Sequence, residues 1–106
     1  MITEHAILPV LPGQEDAFEA AFREARPIIA SMPGFAGLSL SRSLETPHEY
    51  LLLVQWETVE HHSIGFRGSP EYARWKDLLH RFYEPFPVVE HFATVLTAEP
   101  PAKVPA

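Results

Sequence analysis

The amino-acid sequence predicts a single α+β domain in which two amphipathic helices pack on one face of a four-stranded antiparallel sheet. Three observations lead to this prediction. Segments with strand and helix character follow one another in the order β-α-β-β-α-β, which is the ferredoxin-like arrangement. The chain of 106 residues has the length of one domain. Its hydrophobic content of 46% is enough for one core.

The first strand and the first helix are predicted from the N-terminal third of the chain. Residues 2–11 mix β-branched and aliphatic side chains and run into a Pro-Gly turn. Gly13 is the expected N-cap, and Glu15 and Asp16 fall in the first helical turn, where carboxylates complement the helix dipole. A kink or an end is expected near Pro27. Apolar residues recur at the three- and four-residue steps of a helix with one buried stripe: Phe18, Ala21, Phe22, Ala25, Ile28, Ile29 and Met32.

A β-hairpin is predicted next. Residues 35–44 alternate between large side chains and Gly or Ser, which is typical of a strand with one covered face. Residues 45–48 have the composition of a turn. Residues 50–56 are apolar on both alternations, as expected of a central strand that is covered on both sides.

The second helix has the clearest start signal in the chain. Thr58 is expected to begin a short helix that runs to Phe66. Ser69, Pro70 and Glu71 then supply a capping hydroxyl, a proline at the first helical position and a carboxylate in the first turn. The apolar stripe that follows is expected to stop at the prolines of residues 85–87: Tyr72, Trp75, Leu78, Leu79 and Phe82.

The last strand is predicted over residues 88–98. The domain is therefore expected to span residues 1–98, with residues 99–106 as a flexible, proline-rich tail. Apolar residues fall on both faces of the third and last strands. Because the helices of this fold cover only one face of the sheet, a second copy of the chain is expected to cover the other, which predicts a homodimer.

Composition excludes several classes of function. The formal charge is −6 with only 8 Lys and Arg residues, so nucleic acid is not an expected partner. No apolar run is long enough to span a membrane and no signal-peptide pattern appears, so no membrane association and a cytoplasmic location are expected. The absence of cysteine excludes disulfides, thiolate nucleophiles, iron–sulfur clusters and Cys-ligated zinc.

The chain resembles the antibiotic biosynthesis monooxygenase superfamily of small dimeric α+β barrel proteins. The resemblance covers residues 1 to about 98 and implies a dimer with small apolar cavities between sheet and helices. For some members it also implies oxidation of quinol-like or polyketide aromatic substrates by O2 without a cofactor. No cofactor is therefore expected for this chain. Four segments carry the resemblance: Met32-Pro33-Gly34-Phe35, Val54-Gln55-Trp56-Glu57-Thr58, Phe66-Arg67-Gly68-Ser69-Pro70-Glu71-Tyr72 and Pro87-Val88-Val89-Glu90-His91-Phe92.

The sequence also departs from the family pattern. Many relatives carry a histidine in the second helical region where this chain has Phe66, and His62 lies one turn earlier. The haem-degrading branch relies on an Asn, Trp and His set, whereas this chain contains no asparagine. Haem degradation is therefore disfavoured.

Three residues are predicted as catalytic, each with a structural alternative. His62 lies one turn from Phe66 and could act as a base beneath the second helix, or could be a structural histidine. His91 lies on an otherwise apolar alternation of the last strand and is expected to be partly buried, as a second candidate base or as an interface histidine. Arg67 could hold a phenolate oxygen through its planar fork, or could pair with Glu71.

Four aromatic residues are predicted to form the walls of a substrate pocket between the second helix and the sheet, although aromatic stripes are more often core: Trp56, Phe66, Tyr72 and Trp75. Glu57 and His61 are four residues apart but have no third ligand at suitable spacing, so no metal site is predicted. The predicted function is a cofactor-independent monooxygenase that acts on a small aromatic, quinol-like or polyketide-like substrate. The alternative is a non-catalytic dimeric protein that binds a small molecule or has an accessory role.

Overall fold

The computed structural model describes residues 1–102, and the four strands form one antiparallel sheet in the order β2-β3-β1-β4. The predicted ferredoxin-like α+β fold is confirmed. The last part of the predicted tail, residues 103–106, lies outside the described residues. The elements in chain order are β1 (Ile2–Pro9), α1 (Glu15–Ala30), β2 (Phe35–Arg42), β3 (Glu49–Trp56), a π-helix (His61–Phe66), α2 (Pro70–Leu79), a 3-10 turn (His80–Phe82) and β4 (Val89–Ala93).

The core lies between the helices and one face of the sheet. β1 is central and pairs with both β3 and β4, so its alternate residues meet side chains from both neighbours. This inner face meets the buried stripes of α1 and α2. The largest fully buried side chains are Trp56, Phe18, Phe66, Ile29, Leu79, Val10 and Val54. Across residues 1–102, no helix combines the length and the apolar character that crossing a membrane requires.

α1 continues past Pro27 to Ala30, so the helix does not end at this proline. Pro27 is exposed, and water can bond to the backbone carbonyl that the proline leaves without a partner. Ile29, beyond the proline, is fully buried and holds the last turn against the core. The residue at the N-cap is Gln14, whereas Gly13 takes φ +90° in the turn before the helix.

β4 ends at Ala93, five residues earlier than the predicted end of the strand at residue 98. Ala93 pairs with Ile2, the first residue of β1, so the chain beyond Ala93 has no β1 residue to pair with. α2 also ends before the predicted stop. Its α-helical bonding finishes at Leu79, and a 3-10 turn carries the stripe on to Phe82.

The opposite side of the sheet, which we call the outer face, is not covered by any described element. Leu51 and Leu53 of β3 lie on it half-buried, beside the exposed side chain of Ile7. Phe92 of β4 is 50% exposed there. The prediction that a second copy covers this face stays a prediction.

Candidate functional site

A carboxylate and an imidazole are buried together at the centre of the inner face. Glu4 of β1 is 6% exposed and His62 of the π-helix is 2% exposed. Glu4 Oε1 lies 3.3 Å from His62 Nε2. The indole Nε1–H of Trp56 donates to the same oxygen at 2.9 Å. Buried polar groups need such partners, because leaving one unpaired away from water costs free energy.

His91 extends this pair towards the protein surface. Its Nε2 lies 2.8 Å from Nδ1 of His62. Glu4 and His91 are direct partners across β1 and β4, so the sheet register places both side chains on the inner face. His91 is more exposed than the expected partial burial. We call this line of three side chains the Glu4–His62–His91 relay.

The π-helix positions His62 within the relay. Its wide turn is closed by a bond from the Arg67 N–H to the His62 carbonyl at 3.1 Å, five residues apart. His62 and Phe66 are both buried on the same side of this turn. The His62 ring also stacks on Trp56, with ring centroids 5.7 Å apart and an interplanar angle of 26°. Single turns of π-helix are rare and occur often at functional sites.

Burial changes the proton affinities of both inner groups. Burial, followed by the positive charge of Arg67 and the neighbouring His91, lowers the pKa of His62 to about 4. Burial raises the pKa of Glu4, although the Trp56 hydrogen bond and the charge of Arg67 act in the opposite direction. His62 is therefore a neutral imidazole at pH 7, with one ring nitrogen that donates and one that accepts.

Two proton arrangements satisfy the relay. In the first, His91 Nε2–H donates to His62 Nδ1, and His62 Nε2–H donates to the ionised Glu4. In the second, protonated Glu4 donates to His62, and His62 donates to His91, which carries its own proton on Nδ1. The second arrangement contains one proton more than the first. A proton taken up at His91 Nδ1 can thus end on the Glu4 carboxyl with both imidazoles remaining neutral, and this agrees with the direction of both pKa shifts.

A cavity of about 50 Å³ lies beside the relay, between α2 and the sheet. Such a volume holds a few water molecules, whereas a cavity that accepts benzene measures about 150 Å³. The cavity is therefore smaller than the expected substrate pocket. It is lined by Glu4, Ala6, Leu8, Leu52, His62, Phe66, Arg67, Tyr72, Trp75, His80, Tyr83, Phe86, Pro87 and Val89.

Most of the predicted site residues meet at this cavity. His62, Arg67, Phe66, Tyr72 and Trp75 line it. His91 reaches it only through its contact with His62. Trp56 is fully buried and supports Glu4 and His62 from beneath, so it is not part of the wall.

Glu4, His80 and Tyr83 were not predicted as site residues. A signal for Glu4 is present in the sequence, because it shares the alternation of Ala6 and Leu8 and is the one charged residue among them. Tyr83 has its pKa raised by burial, so its phenol keeps its proton and can donate a hydrogen bond into the cavity. Within residues 1–102, no three His, Cys, Asp or Glu side chains cluster closely enough to hold a metal ion.

Comparison with known proteins gives consistent matches. Residues 1–78 match the family model described as antibiotic biosynthesis monooxygenase. The uncharacterized protein YczJ of Bacillus subtilis is 58% identical over 95 residues, which cover 90% of this chain and 100% of YczJ. A Bordetella bronchiseptica crystal structure with the provisional name antibiotic biosynthesis monooxygenase is 40% identical, with TM-score 0.86 and coverage of 90% of this chain and 97% of that one.

A more distant structural match is SnoaB from Streptomyces nogalater, a cofactor-independent oxygenase. It is 19% identical, with a TM-score of 0.79, and the match covers 91% of this chain and 94% of SnoaB. At this level of identity the similarity concerns the fold alone.

Proposed function

Because this chain belongs to the antibiotic biosynthesis monooxygenase family, we propose that it is a cofactor-independent monooxygenase acting on a small aromatic, quinol-like or polyketide-like substrate. The Glu4–His62–His91 relay is the observation that carries the proposal. It begins at an exposed imidazole, passes beside the cavity and ends on a buried carboxyl group with a raised pKa. Such a line can remove a proton from a substrate and store it away from solvent.

The relay and the cavity residues have separate roles in this reaction. Once the cavity has enlarged far enough for the substrate to reach His91, the Nδ1 atom of His91 accepts a proton from the phenol or from an activated C–H group, and the shift along the relay protonates Glu4. Arg67 stabilises the resulting anion through its guanidinium group. O2 then oxidises the electron-rich anion. For an anthrone-like substrate, a CH2 group becomes C=O and the second oxygen atom leaves as water, so the substrate supplies all the electrons.

Substrate binding requires the cavity to enlarge. Phe86 and Pro87 belong to the segment between the 3-10 turn and β4, which forms neither helix nor strand. Phe86 is mostly exposed and its ring lies edge-on to His80, with centroids 4.9 Å apart. We expect this segment to move outward when an aromatic substrate enters, because most of the remaining lining residues belong to the sheet, the π-helix, α2 and the 3-10 turn.

O2 uptake tests the proposal directly. The protein is incubated with a panel of hydroquinones and anthrone-like phenols, and O2 consumption is followed with an electrode. We expect protein-dependent uptake that falls about 100-fold or more in His91→Ala and in Glu4→Gln, in the range usual for loss of a general base. His48→Ala is the matched control, because His48 lies in the turn between β2 and β3, outside the cavity. Absence of uptake across the panel would contradict the proposal.

A second candidate is a non-catalytic dimeric protein that holds a small hydrophobic molecule in the same cavity. The aromatic cover over the cavity favours it, since His80, Tyr83 and Phe86 contact one another and would slow the release of a bound molecule. Native mass spectrometry that finds a retained ligand, together with no O2 uptake, would select this function.

We also propose that the protein is a homodimer. The outer face supports this, because Ile7, Leu51, Leu53 and Phe92 form an apolar surface that the helices do not reach. Two such faces can pack against each other about a two-fold axis.

A further inference from the structure

Two half-buried tyrosines at the cavity beside the relay have hydroxyl groups without a partner. Tyr72 and Tyr83 both line this cavity. The third tyrosine of the chain, Tyr50, lies outside it and donates its hydroxyl hydrogen to Glu19 at 2.6 Å. Over the part of the chain that the structure describes, neither cavity hydroxyl forms a hydrogen bond of this kind. Tyrosines in protein interiors usually find such a partner, and an oxygen atom of a ligand would supply it here.

The backbone holds Tyr83 in a fixed position beside the end of β1. Tyr83 bridges to Val10, and its ring packs against Phe18 of α1 with centroids 6.0 Å apart. Its hydroxyl is therefore held in place before a substrate arrives, as an effective hydrogen-bond donor requires. Two backbone hydrogen bonds, one on each side of Tyr83, join its segment to β1 and the residues that follow: Leu11 N–H to the Phe82 carbonyl at 2.8 Å and Glu84 N–H to the Pro9 carbonyl at 2.9 Å.

Tyr72 is held at the start of α2, on the same side of the cavity. Its N–H donates to Ser69 Oγ at 3.2 Å, and its ring lies edge-on to Phe66 with centroids 5.3 Å apart. His80 contacts both tyrosine rings, at centroid distances of 6.1 Å from Tyr72 and 5.9 Å from Tyr83. The two phenols therefore approach the cavity from one wall, formed by α2 and the segment that follows it.

The Tyr83 hydroxyl is a neutral donor near the buried end of the relay. Burial raises the pKa of Tyr83, and the neighbouring Tyr72 and Glu4 raise it further, so the phenol keeps its proton. Glu4 lines the same cavity of about 50 Å³, whereas His91, at the other end of the relay, is exposed. One aromatic molecule could thus offer a proton to His91 and an oxygen atom to Tyr83.

The proposed reaction places negative charge on such an oxygen atom. In an anthrone-like substrate, the CH2 group that loses its proton and the carbonyl group occupy opposite positions of the middle ring. Conjugation carries the charge to the carbonyl oxygen, while the proton leaves through His91. A phenol that donates to this oxygen stabilises the anion more than the neutral substrate, because hydrogen bonds to charged acceptors are stronger.

We propose that Tyr83, with Tyr72 as a second donor, forms a hydrogen bond to an oxygen atom of the substrate at the buried end of the cavity. This narrows the substrate class to aromatic compounds whose carbonyl or phenol oxygen is conjugated to the position that loses the proton. The inference rests on the proposed function, since it assigns a substrate contact at the same cavity. Aromatic hydrocarbons without this oxygen should bind poorly, because they would leave both phenol donors without a partner.

Binding in the absence of O2 tests this contact separately from turnover. 2-Naphthol and naphthalene differ by one hydroxyl group, and equilibrium dialysis under argon measures the affinity of the protein for each. We expect the wild type to bind 2-naphthol about tenfold more tightly than naphthalene, and Tyr83→Phe to lose most of this preference. The absorption spectrum of bound 2-naphthol at one pH should also show a larger ionised fraction in the wild type than in Tyr83→Phe.

Tyr50→Phe is the matched control, because it removes a tyrosine hydroxyl outside the cavity and should keep both the preference and the ionised fraction. Circular dichroism should show that both variants remain folded. An unchanged preference and ionised fraction in Tyr83→Phe would overturn the contact, as would a wild type that does not bind 2-naphthol or does not prefer it.

O2 uptake by the wild type separates this inference from the proposed function. Uptake with hydroquinones or anthrone-like phenols, together with an unchanged preference in Tyr83→Phe, would overturn the Tyr83 contact and leave the monooxygenase proposal intact. Binding of 2-naphthol that depends on Tyr83, without O2 uptake across the panel, would support the contact and overturn the monooxygenase proposal.

Discussion

A carboxyl group and an imidazole buried side by side, as Glu4 and His62 are, bind protons differently from the same groups in water. Burial disfavours the charged form of each, so the pKa of the acid rises and that of the base falls. The two shifts affect the pH dependence of stability in opposite directions. They can therefore be separated by experiment.

His62 should remain neutral from pH 7 down to about pH 4, which NMR of the imidazole can follow. In the unfolded chain a histidine protonates below about pH 6.5, so the unfolded state binds more protons between these values. The contribution of His62 to the free energy of unfolding is therefore complete above pH 6.5 and falls by about 3 kcal/mol as the pH drops to 4. A His62 titration near pH 6.5 would contradict the buried relay.

Glu4→Gln should gain stability relative to the wild type as the pH rises. The raised pKa of Glu4 means that its favourable contribution is complete below about pH 4.5 and is lost as the pH passes the folded-state pKa. The amide that replaces the carboxyl group cannot ionise, yet it can still accept the Trp56 hydrogen bond. Urea unfolding of both proteins at pH 4 and pH 7 measures the difference. Glu24→Gln changes an exposed position of α1 and should not gain stability in this way as the pH rises. An equal gain in Glu24→Gln would show that the effect does not come from the burial of Glu4.

The candidate catalytic residues could be predicted from the sequence only in part. Arg67 was found because it belongs to a recognisable segment before α2, and His62 was found because it lies one helical turn before Phe66. Glu4 was missed because its alternation with Ala6 and Leu8 indicates a face of the sheet but does not show which side chains it meets there. Its meeting with His91 depends on the register between β1 and β4, which are far apart in the sequence.

At the scale of the single element, the start of α2 depends on one side chain. Ser69 Oγ accepts from the Tyr72 N–H at 3.2 Å, and Pro70 occupies the first turn. Ser69→Ala should lower the free energy of unfolding by about 1 kcal/mol, whereas Ser69→Asp should retain most of it. Chemical denaturation measures both. Ser63→Ala is the control, because Ser63 is exposed and caps no helix; an equal loss there would contradict the capping role.

The turn between α1 and β2 requires a glycine for two reasons. Gly34 takes φ +80°, and an added Cβ would overlap the ring of His61. Gly13 takes φ +90° but has open space around it. Gly34→Ala should therefore destabilise the protein more than Gly13→Ala, and His61→Ala in the same chain should recover part of the difference. Thermal unfolding of the wild type, the two glycine variants and the Gly34→Ala, His61→Ala double variant tests this. Equal losses of stability in Gly34→Ala and Gly13→Ala would contradict it.

Local signals predicted where elements begin better than where they end. The Ser-Pro-Glu start of α2 is encoded within three residues. The end of β4 is set by the first paired residue of β1, which no local pattern contains. α1 passes Pro27 because Ile29 is buried beyond it, and packing of this kind outweighs the local tendency of proline to end a helix.

At the scale of the whole molecule, the outer face should determine the oligomeric state. Leu53 lies half-buried at its centre, paired with His5 on one side and Ser39 on the other. Sedimentation of the wild type should give twice the 12.0 kDa mass of the chain. Leu53→Glu should shift the protein towards one chain mass, because a carboxylate would be buried in the interface.

Ile64→Glu is the matched control for this prediction, since Ile64 is exposed on the π-helix, away from the sheet. Circular dichroism should show that both variants remain folded. A wild-type mass of one chain at micromolar concentration would contradict the pairing of outer faces.

β1 serves both sides of the sheet through neighbouring residues, Glu4 inward and His5 outward. Inserting or deleting one residue at the beginning of the strand would exchange the two faces, since side chains alternate with a period of two. One such genetic event would remove the carboxyl group from the relay and place it on the outer face. Substitutions can alter either side separately, whereas changes in length cannot. Over evolutionary time this strand should therefore tolerate substitution far better than insertion or deletion.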